Sequence, residues 1–143
     1  MRYLAIDYGT RRTGLAICDA AETVASPLSI IQGRKDLLKG IAETVQSEGV
    51  QAIVLGLPLS MDGTESAQTR LVLKFAEELK KYLHIPVHLQ DERLSSFAAE
   101  ERLAAAEYSR GQKKKRLDAV AAAAILEAFL EEKTTGKSGT DTD

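Results

Sequence analysis

The spacing of apolar and polar positions changes along the chain, and the first third has the period of strands. Apolar runs rich in strand-forming residues cover residues 2–10, 13–18 and 24–31. Short connections between these runs predict an antiparallel meander of three strands. Pro27 confines the third strand to an edge or a bulge, because proline cannot donate a ladder hydrogen bond.

The remaining chain alternates helical and strand periods, which predicts βαβ units after the meander. Gly49 is expected to stop the first helix, and Pro86 follows the second. The second helix is expected to present every fourth residue on its apolar stripe, namely Ala67, Leu71, Phe75, Leu79 and Leu83. The predicted elements are helices over 35–46, up to 83, 95–107 and 116–133, and strands over 52–56 and 87–90. The pattern therefore predicts an α/β fold with a mixed five-stranded sheet flanked by helices.

Length and composition indicate one globular domain over residues 1–133 and a disordered tail over 134–143. The chain has 143 residues, of which 44% are apolar and 28% charged. No apolar run approaches the ~20 residues of a membrane span, and the first residues do not have the character of a signal peptide. A single cysteine, Cys18, fits a reducing cytoplasm, and a buried packing role is expected for it. We therefore expect a cytoplasmic protein with no membrane partner.

Positive charge is concentrated near the start of the last predicted helix, although the formal net charge is −2. The basic segment consists of Arg110, Lys113, Lys114, Lys115 and Arg116. Such a local patch attracts a phosphate backbone. The alternative is a solvated charged loop over residues 108–115.

Acidic residues occur where strands end and where the last helix begins. Asp7 ends the first strand and Glu92, beside Asp91, ends the fifth, while Asp118 lies near the start of the last helix. Asp118 shares a helical stripe with apolar residues at i+4, i+7 and i+11. Packing of this helix near the first strand would bring the acids together. The alternatives are that Asp7 accepts turn amides and that Asp118 caps a helix.

Converging carboxylates without histidine or cysteine are typical ligands of Mg²⁺ or Mn²⁺. Two such ions about 4 Å apart can activate a water and stabilise the leaving oxygen of a phosphodiester. Arg11, Arg12 and Arg93 lie at the same predicted sheet edge and could hold further phosphates. The combination predicts a metal-dependent nuclease acting on nucleic acid.

Four segments in one order resemble the YqgF/RuvX family, an RNase H-like group described as pre-16S rRNA nucleases and Holliday-junction-resolvase homologues. They are residues 6–14 (IDYGTRRTG), 56–58 (GLP) with 62–63 (DG), 91–95 (DERLS) and 118–122 (DAVAA). The resemblance runs from residue 1 to about 132 and implies an RNase H-like fold. It further implies that Asp7, Glu92 and Asp118 are the catalytic, metal-binding acids and that the role is processing of the 5′ end of pre-16S rRNA in ribosome biogenesis.

Two features leave alternatives open. Asp91 is the alternative ligand to Glu92, because neighbouring strand residues point to opposite faces. Junction resolvases of the superfamily usually carry a fourth acid near the third, whereas no acid follows Asp118 until Glu127.

Other functions remain as alternatives. The Asp7-x-Gly9-Thr10 motif also resembles the phosphate loop of actin-like and sugar-kinase-like ATPases, which need two such domains. A non-catalytic nucleic-acid-binding factor is a further alternative, as is a resolvase of four-way DNA. The sequence leaves open RNA or branched DNA as the substrate, endo- or exonucleolytic action, and a monomer or a homodimer.

Overall fold

The computed structural model describes residues 1–93 and 110–135, with side chains for residues 1–93 and 119–134. A five-stranded sheet in the order β3-β2-β1-β4-β5 forms its centre. The meander β1-β2-β3 is antiparallel, and β1, β4 and β5 run parallel to one another. The strands are β1 (Tyr3–Asp7), β2 (Arg12–Cys18), β3 (Ala25–Gln32), β4 (Ala52–Leu57) and β5 (Val87–Asp91). The predicted mixed sheet is confirmed.

The third strand forms one edge of the sheet, as its proline predicts. Pro27 pairs with Ala16, and the register between β2 and β3 shifts between Leu15 and Ala16. The missing N–H of Pro27 therefore falls at an edge strand beside an irregularity, where its cost is small.

Three helices are present in the described part of the chain: α1 (Leu37–Glu48), α2 (Ala67–Leu83) and α3 (Arg110–Thr135). Gly49 ends α1 in the left-handed conformation, with φ of 67°, as expected for a helix C-cap. Ser66 begins α2 with a capping box, in which its Oγ accepts a hydrogen bond from the Thr69 amide. Local signals thus fix both of these helix ends. No helix in the described ranges is long and apolar enough to cross a membrane.

The sheet separates two apolar layers. On one face, Leu4, Ile6 and Leu55 pack under α1 and α2. On the other face, Ala5 and Val54 pack under α3, together with the buried Cys18. Because β1 and β4 are central and parallel, both of their faces are buried, and their near-continuous apolar sequence follows from this position.

The predicted apolar stripe of α2 is partly wrong. Ala67 and Leu71 are exposed, whereas Val72, Phe75 and Leu79 are buried. A residue every four positions drifts around a helix of 3.6 residues per turn, so the i+4 series leaves the buried face after a few steps.

The start of the last helix also differs from the prediction. Residues 110–115 are helical rather than part of a basic loop over 108–115. Lysine and arginine are good helix formers, and charge alone does not distinguish a loop from an exposed helical turn. The helix continues to Thr135, two residues beyond the expected domain end. The predicted helix over 95–107 and residues 136–143 of the predicted tail lie outside the described residues.

Candidate active site

Asp7 is the last residue of β1, in the centre of the sheet at its carboxyl edge. It is half-buried and pairs with Gly14 across the β1–β2 ladder. The turn that follows is tight at Gly9, where a Cβ would lie 2.2 Å from the Arg12 carbonyl oxygen. No side chain fits there, so glycine is required to turn the chain directly after the acid.

Strand alternation places Asp7 and Glu92 on the same face of the sheet. Tyr3 and Ala5 of β1 belong to the layer under α3, so Asp7, two residues further, shares that face. On β5, the His88 ring packs 5.3 Å from the Phe129 ring of α3, which assigns the even-numbered residues there to the same face. Glu92 follows this alternation.

Glu92 is seated over a glycine of the neighbouring strand. A Cβ built on Gly56 would lie 2.5 Å from Glu92 Oε2 and 2.5 Å from the Cδ1 atom of Ile125 on α3. The absent side chain of Gly56 therefore forms a slot for the carboxylate between β4 and α3. Burial, and secondarily the charge of Asp91, raise the pKa of Glu92. A carboxylate so placed favours a nearby cation, which would relieve both effects.

Asp91 faces away from this slot and is paired with an arginine. Arg93 Nε lies 3.0 and 2.8 Å from the two carboxylate oxygens, and Arg93 Nη2 lies 2.5 Å from Oδ2. The same guanidinium donates to the Met61 carbonyl at 3.3 Å. These hydrogen bonds hold the pKa of Asp91 below its ordinary value. Arg93, expected to contact phosphate, is thus engaged in tying the end of β5 to the β4–α2 loop.

Replacing Arg93 with glutamine is expected to lower the free energy of unfolding at pH 7 slightly, because exposed ion pairs are screened by solvent and stabilise little. Because the pKa of Asp91 is depressed in the fold, the stabilisation is present above the unfolded pKa and lost as pH falls through the folded one. Urea unfolding should therefore show the full difference at pH 7 and a shrinking one below about pH 4.

The matched control for this comparison is Asp91→Asn. It should show the same pH dependence, and the double variant should lose no more stability than either single one. If the Arg93 variant still unfolds more easily than wild type at acid pH, the lost stability comes from the contact with the Met61 carbonyl and not from the ion pair with Asp91.

The backbone of Asp118 lies near the level of Asp7. Phe129 on α3 packs on Tyr3 at the start of β1, with ring centroids 5.0 Å apart, while Ile125 reaches Gly56. The helix therefore runs antiparallel to β1. Asp118 lies about 16 Å before Phe129 at ~1.5 Å per residue, and Asp7 lies about 13 Å beyond Tyr3 at ~3.3 Å per residue. The side chain of Asp118 is outside the described set.

Of the three acids predicted to bind metal, the structure describes the side chains of Asp7 and Glu92. No group of three acidic, histidine or cysteine side chains placed to share a metal occurs among the side chains that the structure describes. The Gly56 slot and the raised pKa of Glu92 fit a hard cation bound by oxygen ligands. The donor types agree with the predicted Mg²⁺ or Mn²⁺.

Other predicted contacts are distributed around the same edge. Arg11 is exposed in the turn after β1, and Arg12, the first residue of β2, is half-buried. The basic segment occupies the first two turns of α3, and its side chains lie outside the description. Two hydroxyl groups of the loop before α2 have local partners: Ser66 caps α2, and Thr64 Oγ1 donates to Asp62 at 2.7 Å.

The role of Gly56 was not identified from sequence. The available signal was a glycine inside an otherwise apolar strand, which often marks a close approach of another group. Tyr8, which follows Asp7, packs under α2, stacked on Phe75 with ring centroids 4.1 Å apart.

Sequence comparison identifies relatives along nearly the whole chain. The family model for RuvX, described as Holliday junction resolvase, matches residues 1–132. A protein of Maridesulfovibrio salexigens named "Putative pre-16S rRNA nuclease" is 43% identical over 91% of this chain and 98% of its own length. A protein of the same name from Anaeromyxobacter sp. is 45% identical over 92% and 97%.

Solved structures show the same fold. Thermus thermophilus RuvC in complex with a Holliday junction substrate superposes with a TM-score of 0.60 at 17% identity, over 94% of this chain and 97% of RuvC. The fowlpox virus Holliday junction resolvase gives 0.58 at 13% identity, over 93% and 99%. The RNase H-like fold is thereby confirmed. With the family match covering residues 1–132, the chain belongs to the RuvX family.

Proposed function

We propose that this protein is a metal-dependent nuclease that hydrolyses phosphodiester bonds in processing the 5′ end of pre-16S rRNA. The observation that carries the proposal is the placement of Asp7 and Glu92 on one face of the sheet at its carboxyl edge. Ligands of open α/β sheets bind at this edge. The nuclease names of relatives more than 40% identical support the same reaction.

Asp7, Glu92 and Asp118 would hold the cation. Mg²⁺ or Mn²⁺ supplies Lewis acidity to the attacking water and charge neutralisation at the leaving oxygen. Asp7, at the end of the central strand, would orient the water by accepting its hydrogen bond. Glu92 would present its carboxylate from the Gly56 slot, and Asp118 would approach from the stripe of α3. Asp91 is the weaker candidate, because Arg93 occupies both of its oxygens.

The nucleic-acid strand would be held by cations on both sides of the acids. Arg11 and Arg12 follow Asp7 directly, and the basic segment precedes Asp118 by about one turn of α3. Phosphates bound by these groups would place a phosphodiester over the carboxylates. This is the geometry that an in-line displacement requires. We place the reaction in the cytoplasm, carried out by a monomer or a homodimer.

Cleavage of four-way DNA is the second candidate, since the family description and the RuvC superposition favour it. Against it, residues 119–124 of α3 carry no acid and the next is Glu127, so the fourth carboxylate usual in resolvases is missing from that position. A non-catalytic binding factor is the third. It has no use for acids at the edge where phosphate would bind.

The deciding experiment compares cleavage of a pre-16S rRNA fragment, unstructured RNA and a four-way DNA junction, each with Mg²⁺, Mn²⁺ or EDTA. We expect metal-dependent cutting of the rRNA fragment and none in EDTA. Junction-selective cutting would replace the rRNA proposal with the resolvase function. Binding that is unaffected by EDTA, without cutting of any substrate, would identify a binding factor.

A further inference from the structure

A cleft of about 350 Å³ opens on the face of the sheet opposite the acids, between α1 and α2. Its floor is apolar and its rim is charged. The floor includes Tyr8, Leu37 and Phe75, and the rim carries Arg34, Lys74 and Glu78. No function proposed above uses this cleft.

The floor of the cleft is a rigid aromatic stack. Tyr8 packs on Phe75 with ring planes 17° apart. The guanidinium carbon of Arg34 lies over the Tyr8 ring, 5.6 Å from its centroid, and Arg34 donates a hydrogen bond to the Tyr8 hydroxyl. The Tyr8 ring is buried, with 9% of its surface exposed, and its hydroxyl positions Arg34 at the rim.

The two cations of the rim are available to an anion. Arg34 and Lys74 are exposed, and neither forms an ion pair with a carboxylate in the described part of the chain. Lys80 and Lys133, by contrast, are paired with Glu77 and Glu22. Leu71, 40% exposed at the cleft, adds an apolar contact. Two cations without an ion pair, against the single carboxylate of Glu78, leave the rim with a net positive charge above an apolar floor. Such a cleft favours a phosphorylated ligand with an apolar part.

The cleft continues the edge that carries the acids. Tyr8 in its floor follows Asp7 directly. The Gly33 amide donates to the Arg11 carbonyl at 2.8 Å, which ties the loop of Arg34 to the turn after β1. A nucleic-acid strand that lies across Asp7 and Arg11 would therefore reach Arg34 by passing around the edge of the sheet.

We propose that this cleft is a subsite for the nucleic-acid strand, holding phosphates of nucleotides on one side of the scissile bond. Arg34 and Lys74 bind the phosphates, and Leu71 contacts a sugar or base. The inference rests on the proposed nuclease function and extends its substrate site to the second face of the sheet.

The test measures binding of labelled single-stranded RNA in EDTA, where cleavage is suppressed, as a function of salt. Lys74→Gln is expected to weaken binding roughly fivefold and to flatten the salt dependence by ~0.7 in log–log slope, the contribution of one phosphate contact. Lys39→Gln and Lys81→Gln, exposed on the same two helices but outside the cleft, are the controls and should bind as wild type. Arg34→Lys keeps the charge and should retain most of the affinity.

A second measurement compares the affinity of wild type and Lys74→Gln for RNAs that are shortened stepwise from each end. When enough nucleotides have been removed from one end of the RNA, the strand no longer reaches the cleft, and wild type and Lys74→Gln should then bind it equally. Shortening from the other end should leave their difference in affinity unchanged. Unchanged affinity and slope in Lys74→Gln, or an equal loss in the Lys81→Gln control, would overturn the subsite. If the Lys74 effect appears while no RNA is cut with metal, the subsite stands and the nuclease function fails.

Discussion

Asp7→Asn is expected to bind RNA as the wild type does and to cleave it at least about a thousandfold more slowly. The substitution keeps the size and the position of the side chain at the end of β1, and removes the negative charge. Loss of several kcal/mol of transition-state stabilisation by a metal ligand converts to that factor at 1.36 kcal/mol per tenfold. Single-turnover cleavage with saturating enzyme measures the chemical step, and binding is measured separately in EDTA.

The matched control is Asp36→Asn. Asp36 is exposed before α1 and makes no side-chain capping hydrogen bond, so the same change of charge there should leave cleavage intact. Equal cleavage by Asp7→Asn and wild type would remove Asp7 from the mechanism. A parallel loss of binding and thermal stability would assign it a structural role instead.

Much of the fold could be predicted because its signals are local. Pro27 at an edge strand, Gly49 at a helix end and the apolar run of β4 each depend on a few neighbouring residues. The change of period from strand to helix sets the order of elements, and that order leads to the mixed sheet. The apolar residues at 122, 125 and 129, which share a helical stripe with Asp118 in the sequence, are buried in the structure.

The rest depends on contacts between distant segments. The exposure of Leu71 is decided by how α2 is rotated against the sheet, which an i+4 series cannot specify. The preference for Glu92 over Asp91 came from the family resemblance, and the residues alone left both open. Two contacts that sequence does not contain support the same preference: the pairing of Arg93 with Asp91, and the position of Gly56 beside Glu92. The first turns of α3 could not be predicted as helical, because a run of lysines is equally compatible with a solvated loop.

Gly56→Ala is expected to reduce cleavage by about a hundredfold while the protein stays folded. The new methyl would lie 2.5 Å from Glu92 Oε2 and 2.5 Å from Ile125 Cδ1, distances that require both groups to move. Displacing a catalytic group by about 1 Å can cost a hundredfold in rate. Both close atoms are the ends of flexible side chains, so the loss of stability should stay at or below the low end of the ~1–3 kcal/mol typical of overpacking, which urea unfolding would measure.

Two further variants separate the rate effect from the stability effect. Ile125→Val in the Gly56→Ala background removes the Cδ1 atom, so it should recover part of the stability and none of the rate, because the methyl still displaces Glu92. Ile53→Val lies in the layer under α1 and α2. It should lose about 1 kcal/mol and cleave normally. Wild-type cleavage by Gly56→Ala alone would show that the slot does not position the ligand, and would return Asp91 to equal standing with Glu92.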